Sequence, residues 1–375
     1  MKFTADRAVL LKALAHVQSV VERRNTIPIL ANVLLDAAGG LLRLTATDME
    51  IAIVEEIAGV DIGREGRCTA PAATLFDIVR KLPDGVRVEF DHRGGDAPLA
   101  LRAGRYNTSL MVLPVEDFPS MTEGKLPTKF RLGAGMLRDL VDRTRFAIST
   151  EETRYYLNGI YLHAAKAEGT DVLRAVATDG HRLARVEEAL PDGAAGMPGV
   201  IVPRKTVNEL RKLAEETTEE VEVRLSDTKL QAKIGAVTLT SKLIDGTFPD
   251  YERVIPKGND RVLKVDKNAF AQAVERVAAI SSERSRPVKL SLGKNHLMLT
   301  AASPEQGQAS EEVDGDAVTY DAPALEIGFQ ARYLKDITDQ VDAQVEFRFA
   351  DGSAPTIVQD SARPEAVYVL MPMRV

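Results

Sequence analysis

The segment VATDGHRLARV, residues 176 to 186, gathers side chains of the kinds that perform acid–base chemistry. It contains a carboxylate at Asp179, an imidazole at His181 and two guanidinium groups at Arg182 and Arg185. A carboxylate close to an imidazole can serve as a proton-transfer pair in catalysis. One hypothesis is therefore an enzyme that uses Asp179 and His181 as its acid–base pair.

The remaining sequence offers no other part of an active site. It has no GxxxxGK[ST] phosphate loop, no GxGxxG after a strand and no GxSxG nucleophile motif. The five histidines are scattered, and none belongs to an HExxH metal-binding pair. Asp48 takes the place of Asp179 in an earlier repeat, whereas a third repeat has Ser303 there. Turn formation by aspartate explains this pattern better than paired-acid catalysis, so we predict no catalytic residue, metal or cofactor.

The composition limits the location of the protein and the nature of its partners. The single cysteine, Cys68, excludes an intramolecular disulfide and a cysteine-rich zinc site. The N-terminal segment lacks the pattern of a signal peptide, and no apolar run is long enough to cross a membrane. These features predict a cytoplasmic protein with no membrane partner. The net charge of −7 argues against a uniformly basic nucleic-acid-binding surface, but it does not describe how charge is distributed.

Three segments repeat the pattern of a short strand followed by an amphipathic helix: residues 2–21, 129–148 and 262–281. A second set of strand–helix segments, at 67–82, 200–215 and 327–341, has the same period. Alternating apolar and charged residues, as in VRVEF and VEVRL, predict strands with one buried face. We therefore predict an α+β fold with three tandem domains, 1–127, 128–260 and 261–375, each with two helices packed on antiparallel sheets.

Three tandem copies without a catalytic cluster favour a scaffold, whose function lies in its shape. Strand-rich units have sheet edges that natural proteins pair or cover. Two chains related by a twofold axis and joined head to tail would close six such units into a ring. A scaffold that never encircles another molecule remains the second alternative to the enzyme.

An ordered set of motifs resembles the family of bacterial DNA polymerase III β subunits, the sliding clamps. The resemblance covers the whole chain and is carried by RYYLNG (154–159), TDGHRL (178–183), VIVPRK (200–205), SKLIDGTFPDY (241–251) and VLMPMRV (369–375), together with MKFT (1–4), IPIL (27–30) and SPEQ (303–306). The resemblance implies a homodimeric ring around duplex DNA that tethers the polymerase and catalyses no reaction. It also implies basic groups facing the DNA despite the acidic total charge. Matched by motif, the DNA-binding residues are Arg24, Tyr155, Tyr156, Arg204 and Lys205.

In this family the TDGHRL stretch forms part of a pocket that receives short peptides. Carried over to this chain, the pocket comprises Leu157, Thr178, Gly180, His181, Arg182, Leu183, Pro249, Arg253, Val254, Val369, Met371, Pro372, Met373 and Arg374. Methionines adapt to varied apolar ligands, and Arg182 and Arg253 can hold a peptide carboxylate or carbonyl. The expected ligands carry a glutamine followed by leucines and often an aromatic residue. They would belong to the DNA polymerase III α subunit, the clamp loader, other polymerases, ligase and mismatch-repair proteins.

The resemblance places the dimer interface between the first domain of one copy and the third domain of the other. The matching residues are Arg105, Leu110, Ala279, Ile280, Glu305 and Glu311. Asn107, Thr108 and Ala279 are smaller or more polar than a strong interface would suggest. The chain departs from the family pattern at two further places. Ser353 and Pro355 line the rim of the peptide pocket, and Glu151 places an acid near the DNA-facing tyrosines.

Overall fold

The computed structural model describes residues 1–22, 26–121, 124–280 and 287–374. The chain forms two compact units, each built from discontinuous segments. The first unit comprises Met1–Arg138, Pro191–Pro198 and Lys205–Leu243, and the second comprises Asp139–Leu190, Gly199–Arg204 and Ile244–Val375.

The first unit contains two antiparallel sheets. The five-stranded sheet has the order β5 (Asp61–Arg64), β1 (Lys2–Asp6), β7 (Arg87–Asp91), β8 (Leu99–Ala103) and β9 (Tyr106–Leu110). The eight-stranded sheet has the order β10 (Thr128–Gly133), β15 (Glu220–Leu225), β16 (Lys229–Ile234), β17 (Val237–Lys242), β4 (Ile51–Ala58), β3 (Leu41–Thr47), β2 (Asn32–Ala38) and β6 (Gly66–Pro71).

The second unit also contains two antiparallel sheets. The nine-stranded sheet has the order β14 (Val200–Pro203), β11 (Gly159–Ala167), β12 (Thr170–Thr178), β13 (Arg182–Ala189), β26 (Arg363–Leu370), β25 (Thr356–Asp360), β24 (Gln344–Phe349), β18 (Arg261–Asp266) and β22 (Val318–Tyr320). The four-stranded sheet has the order β21 (Gly307–Asp314), β20 (His296–Ser303), β19 (Pro287–Gly293) and β23 (Leu325–Gln330).

The α-helices follow the repeat predicted from the sequence. They are α1 (Arg7–Gln18), α2 (Ala72–Lys81), α3 (Ala134–Asp142), α4 (Arg204–Glu215), α5 (Lys267–Ala278) and α6 (Ala331–Thr338). Helices α1, α3 and α5 each follow a strand directly, as the first set of segments predicts. Helices α1 and α5 are each capped at the N-terminus by an aspartate. Asp6 accepts a hydrogen bond from the backbone N–H of Ala8, and Asp266 accepts one from that of Ala269.

The apolar faces of the predicted amphipathic helices pack against the protein core. Leu14, Val141 and Val274 are buried at equivalent places in the first set of helices. In the second set, Leu75, Val207 and Leu334 are buried as well. Leu137 differs from this pattern because it is only half-buried.

Two sheets extend beyond the predicted domain boundaries. In the first unit, β4 pairs with β17, so strands from the first and second predicted domains form one sheet. In the second unit, β13 pairs with β26 and joins strands of the second and third predicted domains. Each pairing removes two sheet edges, which would otherwise leave backbone groups open to other chains. The compact units therefore do not coincide with the sequence repeats.

His16 on α1 joins three elements of the first unit. Its Nδ1 lies 2.7 Å from Oε2 of Glu55 on β4, and its Nε2 lies 3.0 Å from Oε1 of Glu216, just after α4. The Lys12 Nζ also lies 3.1 Å from a Glu216 carboxylate oxygen. Burial opposes protonation, but the hydrogen bonds to the two carboxylates outweigh it and raise the pKa of His16.

We predict that His16 makes the stability of the chain depend on pH. Because the folded state holds the proton more tightly, the stabilisation is complete below the unfolded pKa of about 6.5 and is lost as pH rises through the raised folded pKa. Urea unfolding should show a smaller free energy of unfolding at pH 8 than at pH 6, and His16→Gln should reduce this difference. The control is His296→Gln, because the side chain of His296 beside Glu312 is 39% exposed, whereas that of His16 is 10% exposed. An unchanged difference in His16→Gln would contradict the assignment.

No helix in the described ranges is long and apolar enough to cross a membrane. Among the same residues, no group of three or more histidine, cysteine or acidic side chains could hold a metal ion.

Candidate peptide-binding site

The TDGHRL segment forms a tight turn between β12 and β13. Oδ1 of Asp179 accepts hydrogen bonds from the backbone N–H groups of His181 (2.9 Å) and Arg182 (3.0 Å). The Thr178 hydroxyl donates to the Arg182 carbonyl at 2.7 Å. Gly180 has a φ of +88°, a conformation that favours glycine. The carboxylate thus shapes the backbone, as the turn hypothesis predicts.

The same turn occurs in the first repeat. Oδ1 of Asp48 accepts hydrogen bonds from the backbone N–H groups of Glu50 and Ile51, each at 2.8 Å. Met49 occupies the position of Gly180 and also has a positive φ, +75°. Since two repeats use their aspartates identically, Asp179 is explained without an acid–base role.

Arg182 is buried and holds the turn in place from beneath. Its side chain is only 4% exposed. Its Nε donates to Asp179 at 3.1 Å, its Nη1 to Asp336 on α6 at 2.6 Å and its Nη2 to the Phe146 carbonyl at 2.6 Å. The guanidinium also lies over the ring of Tyr333, 4.4 Å from its centroid. Arg182 therefore positions the site, and the exposed Arg253 is the arginine open to a ligand.

Replacing Arg182 should destabilise the chain strongly. Arg182→Met leaves the carboxylates of Asp179 and Asp336 without their buried partner, and such a loss typically costs about 3–5 kcal/mol. Chemical denaturation would measure this change in the free energy of unfolding. Arg253→Met is the matched control, because Arg253 is 85% exposed and its ion pair with Asp250 lies at the surface. Equal stability of the two variants would contradict the role of Arg182.

An apolar cluster lies under the turn. Its buried members are Leu157, Val176, Leu183, Ile201, Phe248, Tyr251 and Val369. Leu183 and Val369 face each other across the β13–β26 ladder. Tyr161 stacks on Phe248 with ring centroids 4.9 Å apart. Three of the predicted pocket residues, Leu157, Leu183 and Val369, are thus buried and form the floor of the site.

The C-terminal segment forms one rim of the site. The backbone N–H of Met371 donates to the His181 carbonyl at 2.9 Å, and that of Met373 donates to the Gly328 carbonyl at 2.8 Å. Met371 is 43% exposed, and Pro372 and Met373 are half-buried. The predicted residues on the turn and on the C-terminal segment are therefore brought together.

The segment from Phe248 to Val254 forms the other rim. Phe248 and Tyr251 are anchored in the cluster, whereas Pro249, Arg253 and Val254 are exposed. Val254 is 51% exposed despite its apolar side chain. An exposed valine and methionine beside a buried apolar cluster are typical of a ligand-binding surface.

A buried network that the sequence analysis missed holds this second rim. Nη1 of Arg174 donates to the Tyr251 hydroxyl at 2.7 Å and to Glu252 at 2.6 Å. Nε2 of His163 lies 3.0 Å from the same hydroxyl, and burial lowers the pKa of His163. Arg174 interrupts the otherwise apolar run of residues 172–177 in β12, a local signal that could have indicated a buried anchor.

The residues expected to face DNA have different environments. Tyr155 is 54% exposed, and Tyr156 packs against the apolar cluster. Arg204 begins α4 and is exposed. Lys205 is engaged, because its Nζ donates to Asp48 (2.5 Å), the Val20 carbonyl (2.9 Å) and Glu22 (3.3 Å). Arg24 lies outside the described residues.

Glu151 neutralises a neighbouring arginine. Its carboxylate accepts two hydrogen bonds from Arg154, at 2.8 and 2.6 Å, and these bonds lower the pKa of Glu151. The acid that departs from the family pattern is therefore paired within its own turn.

The predicted interface residues lie on or near strands with a free edge. Among the described residues, β9 pairs only with β8 and β21 only with β20. Arg105 precedes β9, and Leu110 ends it with its side chain buried. Glu311 on β21 accepts hydrogen bonds from Arg276 at 2.6 and 2.8 Å. Ala279 and Glu305 are exposed, and Ile280 is half-buried.

Comparison with known proteins decides the family. Family models describing the N-terminal, central and C-terminal domains of the DNA polymerase III beta subunit match residues 1–122, 131–250 and 252–374. The beta sliding clamp of Caulobacter vibrioides is 53% identical over 377 residues, which cover 100% of both chains. The chain belongs to the family of DNA polymerase III β subunits.

Solved structures of the family agree with this membership. A Caulobacter crescentus beta sliding clamp matches with a TM-score of 0.97 at 53% identity, over 100% of this chain and 99% of that chain. A Bartonella birtlesii sliding clamp bound to griselimycin matches with a TM-score of 0.96 at 47% identity, over 100% of both chains.

Family membership settles the predicted fold class and activity. The chain has three clamp domains of helices and antiparallel sheets, as predicted. It is a sliding-clamp processivity factor of DNA replication and not an enzyme, so the acid–base hypothesis for Asp179 and His181 is wrong.

Proposed function

We propose that two copies of this chain close head to tail into a ring that encircles duplex DNA. The free edges of β9 and β21 support this arrangement, because pairing between copies would satisfy both. The interface would use Arg105, Leu110, Ala279, Ile280, Glu305 and Glu311. The domain boundaries proposed for the chain remain 1–127, 128–260 and 261–375, and the spans of the three family models support them.

We propose that Arg24, Tyr155, Tyr156, Arg204 and Lys205 face the DNA. Contacts to phosphates position a duplex without reading its sequence, as sliding requires. The exposed side chains of Tyr155 and Arg204 can make such contacts directly. For Lys205, a phosphate would have to compete with Asp48 and Glu22 for the ammonium group.

The surface around TDGHRL is proposed to bind short peptides of partner proteins. The observation that carries this proposal is that exposed Met371 and Val254 lie close along the chain to Val369 and Tyr251, which share one buried apolar cluster. Leucine side chains of a peptide would cover this surface, and Arg253 would pair with a peptide carboxylate. The proposed partners are the polymerase III α subunit, the clamp loader, other polymerases, ligase and mismatch-repair proteins, all in the cytoplasm and at the nucleoid. The griselimycin-bound relative supports a ligand site in this family.

Val254→Glu tests the peptide site without disturbing the core. Val254 is exposed, so the variant should keep its stability and lose affinity for the labelled pentapeptide Gln-Leu-Ser-Leu-Phe by roughly 10-fold or more, because an apolar contact becomes a charge. Fluorescence anisotropy would measure the dissociation constant. Ile27→Glu is the control, since Ile27 is similarly exposed in the first unit. Undiminished affinity of Val254→Glu would contradict the site.

A further inference from the structure

The first unit contains a second groove, which none of the functions above uses. It is a cavity of about 460 Å³ on one face of the eight-stranded sheet. Its walls include apolar Leu34, Ala52 and Phe118 and charged Arg43, Glu56 and Arg67. The volume lies in the range of roughly 300–1,000 Å³ that is usual for ligand sites.

The groove shares three parts with the peptide site of the second unit: a turn, a Phe–Pro dipeptide and a pair of facing strands. Thr47 and Asp48 form the turn beside it, with the hydrogen bonds that Thr178 and Asp179 make in the second repeat. Thr45 precedes this turn by two residues, as Val176 does in the second repeat. The dipeptide Phe118–Pro119 lines the groove, and Phe248–Pro249 forms a rim of the peptide site.

The strand register makes the correspondence specific. Ala52 lies five residues after Thr47, and Leu183 lies five residues after Thr178. Ala52 pairs with Thr240 across β4 and β17, whereas Leu183 pairs with Val369 across β13 and β26. The paired floor residues Leu183 and Val369 therefore have the smaller Ala52 and the hydroxylated Thr240 as counterparts in the groove.

The loss of one large side chain explains why the groove is open. Where Leu183 fills the floor in the second unit, Ala52 leaves space, whereas Thr45 and Thr240 match Val176 and Val369 in size and replace a methyl group with a hydroxyl. The remaining walls are mixed, because apolar Leu34, Val54 and Phe118 lie beside charged Arg43, Glu56 and Arg67. A leucine side chain can pack on the apolar members, and the hydroxyls and charged groups can bond to the peptide's glutamine or backbone.

We infer that this groove is a second and weaker binding site for the same glutamine–leucine peptides. The inference rests on the proposed peptide function of the second unit, since the ligand class is carried over through the repeat. Losing a methylene from an apolar pocket weakens binding by about 10- to 200-fold, so we expect the groove to bind roughly 100-fold or more weakly than the main site.

Methionine methyl groups report on the two sites separately in the full-length chain. Met121 lines the groove, and Met371 and Met373 form a rim of the peptide site. With ¹³C-methyl methionine, the peptide Gln-Leu-Ser-Leu-Phe should shift the Met371 and Met373 signals first. The Met121 signal should shift at roughly 100-fold higher peptide concentration. Val54→Arg should abolish only the second response, and Val254→Glu should weaken only the first.

A variant expected to bind the peptide more tightly in the groove distinguishes the absence of a site from loss of binding through misfolding. Thr45→Val, Ala52→Leu and Thr240→Val together restore the floor of the peptide site and should strengthen the Met121 response by at least 10-fold. If Met371 responds but Met121 stays silent in both the natural chain and this variant, the inference is wrong. If Met371 does not respond, the proposed peptide site itself is wrong, whatever Met121 does.

Discussion

A chain that ends at Leu370 should lose more than 99% of its affinity for clamp-binding peptides. Removing residues 371–375 deletes the exposed Met371 and the half-buried Pro372 and Met373, which form one rim of the site. It also breaks the backbone hydrogen bonds from Met371 to His181 and from Met373 to Gly328. Burying a side chain of this size typically contributes about 1.5–3 kcal/mol, so two methionines account for a loss of 100-fold or more. Fluorescence anisotropy with the labelled pentapeptide would measure this loss.

The truncation should leave ring assembly intact. The proposed interface residues lie near β9 and β21, and none of them belongs to residues 371–375. Sedimentation should therefore show an unchanged monomer–dimer equilibrium. Leu41→Ala is the control for the peptide measurement, because it removes one exposed apolar side chain in the first unit, outside the peptide site. Full peptide affinity in the truncated chain would mean that the C-terminal rim does not bind partners.

The second large effect that we predict is a loss of dimerisation when the exposed apolar side chains near β9 are replaced. Tyr106 on β9 is 41% exposed, and Met111, just after the strand, is 75% exposed. Two large apolar side chains at a free sheet edge indicate a surface that another chain covers. We expect the double variant Tyr106→Asp and Met111→Asp to weaken dimerisation by roughly 100-fold or more, since about 1.5–3 kcal/mol of apolar burial is lost per side chain.

Sedimentation equilibrium over a range of protein concentrations would measure this change. Leu41→Asp is a suitable control, because Leu41 is 37% exposed at the start of β3 and lies outside the proposed interface. The double variant should keep its peptide affinity, since the peptide site is built entirely within the second unit. An unaltered dimer would place the interface elsewhere.

The repeat pattern predicts the local structure well, because it depends on residues close in sequence. The strand–helix units around Phe3 and Leu263, and the aspartate caps at Asp6 and Asp266, follow from short-range spacing and side-chain chemistry. The pairing of β4 with β17 could not be read in the same way. It joins strands far apart in the chain, and alternating patterns do not specify which edge meets which.

In the candidate site, too, the sequence predicts the local features but not the contacts between residues far apart in the chain. The motifs identify the turn at Asp179 and the C-terminal rim, and the structure brings them together. The buried role of Arg182 was not predictable, because its partner Asp336 is remote in sequence. For the same reason the sequence could not show that Arg174 anchors Tyr251, or that Lys205 is bonded to Asp48.

Retention on circular DNA tests the proposed ring most directly. The chain would be loaded onto a closed circle with its clamp loader and ATP, then held in salt that suppresses simple ionic binding. A single cut would then convert the circle into a linear duplex. A topologically linked ring stays on the circle and is released after the cut, and this is the result we predict. Equal retention on the intact and cut DNA would contradict encirclement.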